Sequence, residues 1–444
     1  MPKKVCLLES GKIFLAGLVP LLVRKLAKLG MSVEIQEEGC QELPVNRPVS
    51  SRMLSGIHLD PDQVRAIEAC LAKRRGYIKA VTGFGKTEVL LGVYEALRPV
   101  RALMVVTRRG LRQQAIERAG KRLAGPVVYL RRGEPLPDKG LVITTYHTLH
   151  RLLFGATSRA SRTAADPRVR DWCAGVGLGL FDECHRLPGE QFSRCVKAIP
   201  ASYRIGASAT PLVNNALRNM ILRGCLGEKI IEAGVAQEVE KGRVAQVHVF
   251  FREIGQGDRI EFPEVLNYQE AYTKSLSTYE PFLTDIVEVC RWFRDQGMPC
   301  LVMVDWVQHG QDLYDRLRKA LKGGVDYIHG ELSVAEYTRA KQGFLDGRVQ
   351  TLVASPVLGE GEDLPNVAGL VLACAGRARH ALIQKIGRGM RPKEGSNILM
   401  VVHYINYRHP YFIKQALANL KSYAASPSYI LHGMAPLEVV DDGQ

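Results

Sequence analysis

The chain has no Cys-x-x-Cys pair. Its ten cysteines, at positions 6, 40, 70, 173, 184, 195, 225, 290, 300 and 374, are widely spaced, which offers neither the paired ligands of a zinc site nor a dithiol redox centre. An oxidising compartment would join so many thiols into a framework, so we read them as reduced, mostly buried, and cytoplasmic. Low-complexity tracts are absent too. Gly and Pro are scattered, and 46% hydrophobic with 24% charged residues describes a globular chain rather than a disordered one. Nor is there an apolar run long enough to span a bilayer. The stretch Ile13–Val23 stops at Arg24, Lys25 and Lys28 with no small-residue cleavage site after it, which argues against a membrane span or a signal peptide. Acidic residues are in deficit, 45 Asp and Glu against 60 Lys and Arg. The resulting charge of +15 and pI near 9.4 favour a polyanionic partner.

At 444 residues the chain is too long for one ordinary core. Residues 1–50 read as a small α/β domain: a strand at Val5–Leu8, a helix at Leu15–Leu29 ending on Gly30, and a strand at Val33–Gln36. From 51 to 235, β-rich apolar runs alternate with helical patterns. The runs are Tyr77–Val81, Ala102–Thr107, Val127–Leu130, Leu141–Thr144, Leu178–Asp182 and Tyr203–Ser208. A second series fills 236–444, with runs at Val247–Phe251, Cys300–Val304, Val325–Ile328, Thr351–Ser355, Gly369–Ala373 and Ile398–His403, and closes in a helical tail. Such alternation predicts two tandem α/β domains, each a parallel sheet flanked by helices.

Two segments of the first series carry chemistry. Ala80-Val-Thr-Gly-Phe-Gly-Lys-Thr87 follows an apolar strand and precedes a helix, the context of a phosphate-cradling loop. Gly83 and Gly85, with Phe84 between them, let backbone N–H groups approach phosphate oxygens. Lys86 is placed for the β and γ phosphates, and Thr87 for magnesium. Ala80 stands where the general pattern has its first glycine. Leu178-Gly-Leu-Phe-Asp-Glu-Cys-His185 puts two carboxylates at the C-terminal end of a buried strand, where ligands of parallel sheets bind. There Asp182 suits a magnesium ion held through water, and Glu183 an attacking water.

Asp182-Glu-Cys-His185, with Ser208-Ala-Thr210 downstream, resembles motifs II and III of superfamily 2 helicases. Further segments match that family in order. Gln63 resembles the glutamine that reads adenine. Val105-Val-Thr-Arg-Arg-Gly-Leu-Arg-Gln113 resembles motif Ia, and Ile143-Thr-Thr-Tyr-His147 the later nucleic-acid motif of the same domain. Leu301-Val-Met-Val-Asp-Trp-Val-Gln-His309, followed by His329-Gly330, resembles motif IV and the step after it. Leu352-Val-Ala-Ser-Pro-Val-Leu-Gly-Glu-Gly-Glu-Asp-Leu-Pro365 resembles motif V, and Gln384-Lys-Ile-Gly-Arg-Gly-Met-Arg391 resembles motif VI.

The resemblance covers about residues 58–405 and implies two RecA-like domains with ATP and Mg2+ between them. It places Gly361, Asp363 and Gln384 at the nucleotide and makes Arg388 and Arg391 an arginine finger supplied in cis. Ser208 and Thr210 would couple hydrolysis to movement. Thr107, Arg108, Thr144 and Thr145 would donate to the nucleic-acid backbone, with Arg109, Tyr146, Asp305, His329 and Ser355 lining the same path. Motif Ia has Val106 where proline is usual, and motif VI opens on Gln384 where RNA-directed DEAD-box members carry histidine. The set looks most like DNA-directed members, including recombination and repair helicases of the phage UvsW type, which place a small domain ahead of the motor. The expectation is an ATP-dependent DNA helicase or translocase for forks and junctions in replication, recombination or repair, monomeric on DNA. An RNA helicase and the motor of a restriction system are the alternatives. The spare terminal residues hold no carboxylate and lysine cluster for an attached nuclease.

Overall fold

The computed structural model describes residues 8–9, 13–35, 43–81, 83–158, 161–213, 215–234, 245–260, 267–358, 364, 366–374, 398–424 and 429–433. The chain divides after Gly234 into two compact units.

In the first unit an antiparallel hairpin, β1 (Leu8–Glu9) and β2 (Ile13–Phe14), leads into helix α1 (Val19–Lys28). Arg24 of α1 forms a two-pronged ion pair with Glu228. Residues 33–35, expected as a strand, carry no regular structure, because no described strand pairs with them; of Val5–Leu8 only Leu8 is described, in β1. Thereafter strand and helix alternate: α2 (Pro61–Lys73), β3 (Arg75–Ala80), α3 (Lys86–Leu97), β4 (Arg101–Val106), α4 (Arg109–Arg122), β5 (Val127–Tyr129), β6 (Gly140–Thr145) and α5 (Tyr146–Phe154). A hairpin of β7 (Ala156–Ser158) and β8 (Ser161–Thr163) follows, then α6 (Pro167–Ala174), β9 (Leu178–Asp182), α7 (Glu190–Lys197), β10 (Tyr203–Ser208), α8 (Ala216–Leu226) and β11 (Lys229–Ala233).

Seven strands form one parallel sheet in the order β11-β3-β10-β9-β4-β6-β5. Successive strand residues face opposite sides. Met104 and Val106 join one core with Ile78, Ile143 and Ile205, while Leu103 and Val105 join another with Val142 and Phe181. Both faces are therefore covered by helices, which is why these strands read as continuous apolar runs.

The second unit repeats the plan. Its strands are β12 (Gln246–Ile254), β13 (Cys300–Met303), β14 (Val325–Ile328), β15 (Thr351–Ala354), β16 (Gly369–Leu372), β17 (Ile398–Asn406) and β18 (Tyr429–His432), all parallel, in the order β14-β15-β13-β16-β17-β12-β18. Helices Glu280–Asp295, Val307–Leu321, Val334–Leu345 and Pro410–Ala424 flank it. Each sheet strand expected from the sequence is present. The sequence reading missed β11 and β18, both at sheet edges, so the tail expected as helical also contains a strand.

Candidate functional site

The loop between β3 and α3 is built around two residues in the left-handed region, Gly83 at φ 98° and Gly85 at φ 80°. Phe84 between them is buried in the first core and anchors the turn. Gly85 also sits against Gln63, whose Nε2 would lie 2.3 Å from a Cβ at that position. Gln63 does two jobs at once. Its Oε1 accepts from the Asp60 N–H at 3.0 Å, completing a capping box at the start of α2, and its Nε2 donates to the Phe84 carbonyl at 2.8 Å. Lys86 opens α3, and its Nζ donates to the Ala80 and Val81 carbonyls, each at 3.1 Å, which holds the ammonium over the loop. Thr87 follows in the first turn, half-buried.

Two strands away in the sheet, β9 ends on Asp182. Burial raises this carboxyl to about 6, helped by the Glu183 charge and opposed by Lys86. Glu183 adopts φ 49°, ψ 48°, a left-handed conformation that costs a non-glycine residue about 1–2 kcal/mol. The Asp182 carboxylate accepts the Glu183 N–H at 2.9 Å. From there a buried network runs to the neighbouring strand. His185 Nδ1 lies 3.1 Å from Glu183 Oε2 and 3.0 Å from Ser208 Oγ, and Ser208 Oγ accepts the Thr210 N–H at 3.2 Å. His185 was seen in the sequence only as a variant letter of motif II. The geometry makes it the bridge between the Asp-Glu pair and Ser208, 23 residues on. Among the described residues no cluster of three or more His, Cys, Asp and Glu could hold a metal by itself.

Further along the C-terminal edge of this sheet, β4 leads to Thr107 and Arg108, and β6 ends on Thr144 and Thr145. Three of these hydroxyls are buried. Thr107 is 3% and Thr144 0% exposed. The Thr107 hydroxyl has no hydrogen-bond partner among the described residues, while Thr144 donates to the Thr145 carbonyl at 3.3 Å. Thr145 caps α5, accepting the Thr148 N–H at 3.3 Å. None of the three offers a side-chain donor outward in this arrangement. Arg108 caps the start of α4 without a side-chain cap bond, Arg109 is its first residue, and Tyr146 is stacked on Phe192 with ring centroids 5.0 Å apart.

In the second unit Asp305 follows β13, and its N–H donates to the Tyr272 hydroxyl at 3.4 Å. His329, after β14, stacks on Tyr327 at 4.7 Å. Ser355, after β15, is 2% exposed. Gly361, Asp363, Gln384, Arg388 and Arg391 lie outside the described residues.

A glycine-bent loop opening a helix, a lysine over it and a carboxylate pair two strands away define the nucleotide-binding half of a RecA-like ATPase, and a second parallel sheet follows it in the chain. Comparison with known proteins agrees. Residues 56–213 match the family described as "Type III restriction enzyme, res subunit", and residues 282–393 match "Helicase conserved C-terminal domain". A helicase of the Sulfolobus islandicus filamentous virus is 23% identical over 366 residues, 78% of this chain and 63% of that one. The DNA 3'-5' translocase XPB2 of Sulfurisphaera tokodaii is 23% identical over 407 residues, 84% of this chain and 87% of that one. Among solved structures, S. cerevisiae Dbp5 bound to Gle1 and IP6 superposes with a TM-score of 0.56 at 16% identity, covering 84% of this chain and 89% of that one. The chain belongs to helicase superfamily 2, the class of ATP-dependent helicases and translocases. No helix among the described residues is long and apolar enough to cross a membrane.

Proposed function

We propose that the chain is an ATP-driven DNA motor that remodels branched DNA, forks and junctions, as a cytoplasmic monomer in replication, recombination or repair. The observation that carries the motor is the grouping of Lys86, Asp182, Glu183, His185 and Ser208 at the C-terminal edge of one sheet. Lys86 and the loop N–H groups hold the β and γ phosphates, and Gln63 reads adenine. Glu183 orients the attacking water, its carboxylate fixed by His185. The hard oxygen donors Thr87 and Asp182 fit Mg2+, and a cation there would offset the burial, and the Glu183 charge that adds to it, by which the Asp182 carboxyl is raised. When bound, Mg2+ neutralises charge on the phosphates. On the resemblance, Arg388 and Arg391 supply the arginine finger, with Gly361, Asp363 and Gln384 beside the nucleotide.

DNA as the track is supported by the relative named as a DNA translocase and by the +15 charge. Phosphate contacts carry little sequence information, so binding should depend on structure and salt rather than on base sequence. We assign nucleic-acid contacts to the edge residues Arg108, Arg109 and Tyr146 in the first unit and, on the resemblance, to Asp305 and His329 in the second, whereas Ser355 at 2% exposed is as buried as Thr107 and offers no outward donor. The motor of a restriction system is the second reading, favoured by the description of the matched family. The deciding experiment measures ATPase rate without nucleic acid and with single-stranded DNA, duplex, fork, four-way junction and matched RNA. Strongest stimulation by fork or junction is expected. Preference for RNA overturns the substrate, and DNA cleavage by the purified chain favours the restriction reading.

A further inference from the structure

The sheet order places β5 at the outer edge of the first sheet, next to β6 and two strands from β4. All three run parallel, so their C-terminal ends open on one side. At the end of β5 two guanidinium groups lie over the ring of Tyr129. Arg112, on the first turn of α4, stands 4.1 Å from the ring centroid and donates from Nη1 to the Tyr129 hydroxyl at 2.9 Å. Arg131, just past the strand, stands 5.1 Å from the same centroid. Arg132 follows, exposed, its guanidinium donating to the Ala164 carbonyl. Among acidic groups, Glu134 faces this cluster, 3.2 Å from Arg131. Arg112, Arg131 and Arg132 are thus three guanidinium groups near the end of β5, with Glu134 paired to Arg131.

We infer that Arg112, Tyr129 and Arg131 form a phosphate-gripping platform that continues the nucleic-acid path beyond β4 and β6 onto the outermost strand. The inference rests on the DNA reading above. Neighbouring strands lie about 4.8 Å apart, so the ends of β4 and β5 span about 10 Å, the rise of about three phosphates of one strand. Buried Thr107 and Thr144 offer this track no outward side-chain donor, whereas Arg112 and Arg131 present planar, permanently charged donors. The Tyr129 ring holds both guanidinium groups by cation–π contact, and its hydroxyl sets Arg112. The ligand is the phosphodiester backbone, and base identity does not enter.

The test uses the full chain and follows binding of labelled duplex and labelled single-stranded DNA by fluorescence anisotropy across a salt series. The variants are Arg112→Ala and Arg131→Ala, singly and together, Tyr129→Phe and, as a control matching the single variants in charge at the far end of α4, Lys121→Ala. Thermal melting and ATPase without DNA report folding and the motor. The double variant should lose about tenfold in duplex affinity, and its log–log salt slope should flatten by about 1.8, two phosphates at about 0.9 each. For single strands the flattening should be about 1.4. Tyr129→Phe keeps the ring and should weaken binding less, with an unchanged slope. An unchanged slope in the double variant, or a loss in the single variants equalled by Lys121→Ala, overturns the platform. If the unaltered chain shows no salt-dependent binding to either DNA, the DNA reading itself fails.

Discussion

The two units share a seven-stranded parallel sheet but use its C-terminal edge differently. In the first, the candidate residues are tied to one another: Gln63 to the loop carbonyl of Phe84, Glu183 to His185, and His185 to Ser208. In the second, the described edge is an aromatic core. Tyr272 stacks on Trp306 at 4.0 Å and hydrogen-bonds buried His309 at 2.9 Å, and Phe282 packs at right angles to Tyr404. A short π-helix at Thr273–Ser277 lies beside it, braced by Asn406, which donates to the Ser275 carbonyl at 2.7 Å. One unit spends its buried polar groups on holding a carboxylate in place, and the other on fixing its own packing. Substitutions in the first should therefore change turnover at nearly constant stability, and those in the second should change stability first.

The sharpest break of that contrast is Glu183→Gln. It keeps the volume and the backbone but removes the carboxylate that His185 orients. Loss of a positioned base is worth about 10²–10⁴ in rate. ATP turnover should fall by that factor while ATP-dependent DNA binding and the melting temperature persist. Unimpaired hydrolysis in the variant would remove Glu183 from catalysis.

Next is the pH response of the second unit. His309 is 0% exposed, and burial holds its imidazole down to about 4, against 6.5 in an open chain. Its Nε2 has no hydrogen-bond partner among the described residues, and burial disfavours the charged imidazolium. The folded pKa is depressed, so the unfolded state takes up the proton first. The contribution of His309 is therefore intact above pH 6.5 and declines as the pH falls toward 4, by up to about 3 kcal/mol at the lower limit. Urea unfolding of the unaltered chain and of His309→Gln, compared at both ends of that window, should show a smaller acid loss in the variant. Equal losses would show that His309 does not set the pH response.

Ser208→Ala should act on coupling. It removes the hydroxyl that meets both His185 Nδ1 and the Thr210 N–H. Such a buried hydrogen bond is worth about 1–1.5 kcal/mol, so DNA-stimulated ATPase should fall by about tenfold, with a smaller change in the rate without DNA. An equal fall in both rates would make Ser208 part of hydrolysis itself rather than of its coupling to DNA.

Much of this was legible in the sequence because strands buried on both faces leave unbroken apolar runs, as Leu141–Thr144 and Leu178–Asp182 do. The phosphate loop was legible because Gly83 and Gly85 are needed at positive φ. The edge strands were not. In β11, Lys229-Ile-Ile-Glu-Ala233, the charged ends make ion pairs across the surface with Lys79 and with each other, so no apolar run marks it. Among the described residues the four-residue β18 pairs only with β12, and it follows a helix that dominates the tail. Motif Ia and the motif after it showed which residue types stand at the strand ends, but not which way they face. Thr144 is 0% exposed because helices cover both faces of this sheet, which the motif letters alone do not show. The His185 bridge was invisible for a different reason, since it joins residues brought together by parallel pairing of β9 and β10.

Gln63→Ala tests the smallest of these effects, where structure and nucleotide reading meet in one side chain. Its amide closes the capping box on Asp60 and tethers the loop at Phe84. Losing a cap costs about 1 kcal/mol, so the first unit should unfold at slightly lower urea while the second is unchanged. If the same amide also recognises adenine, KM for ATP should rise by about fivefold, the equivalent of about 1 kcal/mol, and the preference for ATP over GTP should narrow. The structural role alone predicts the stability loss and a KM change shared equally by both nucleotides. A KM change confined to ATP can come only from recognition of the base, because the tether to Phe84 acts on the loop whichever base is bound above it.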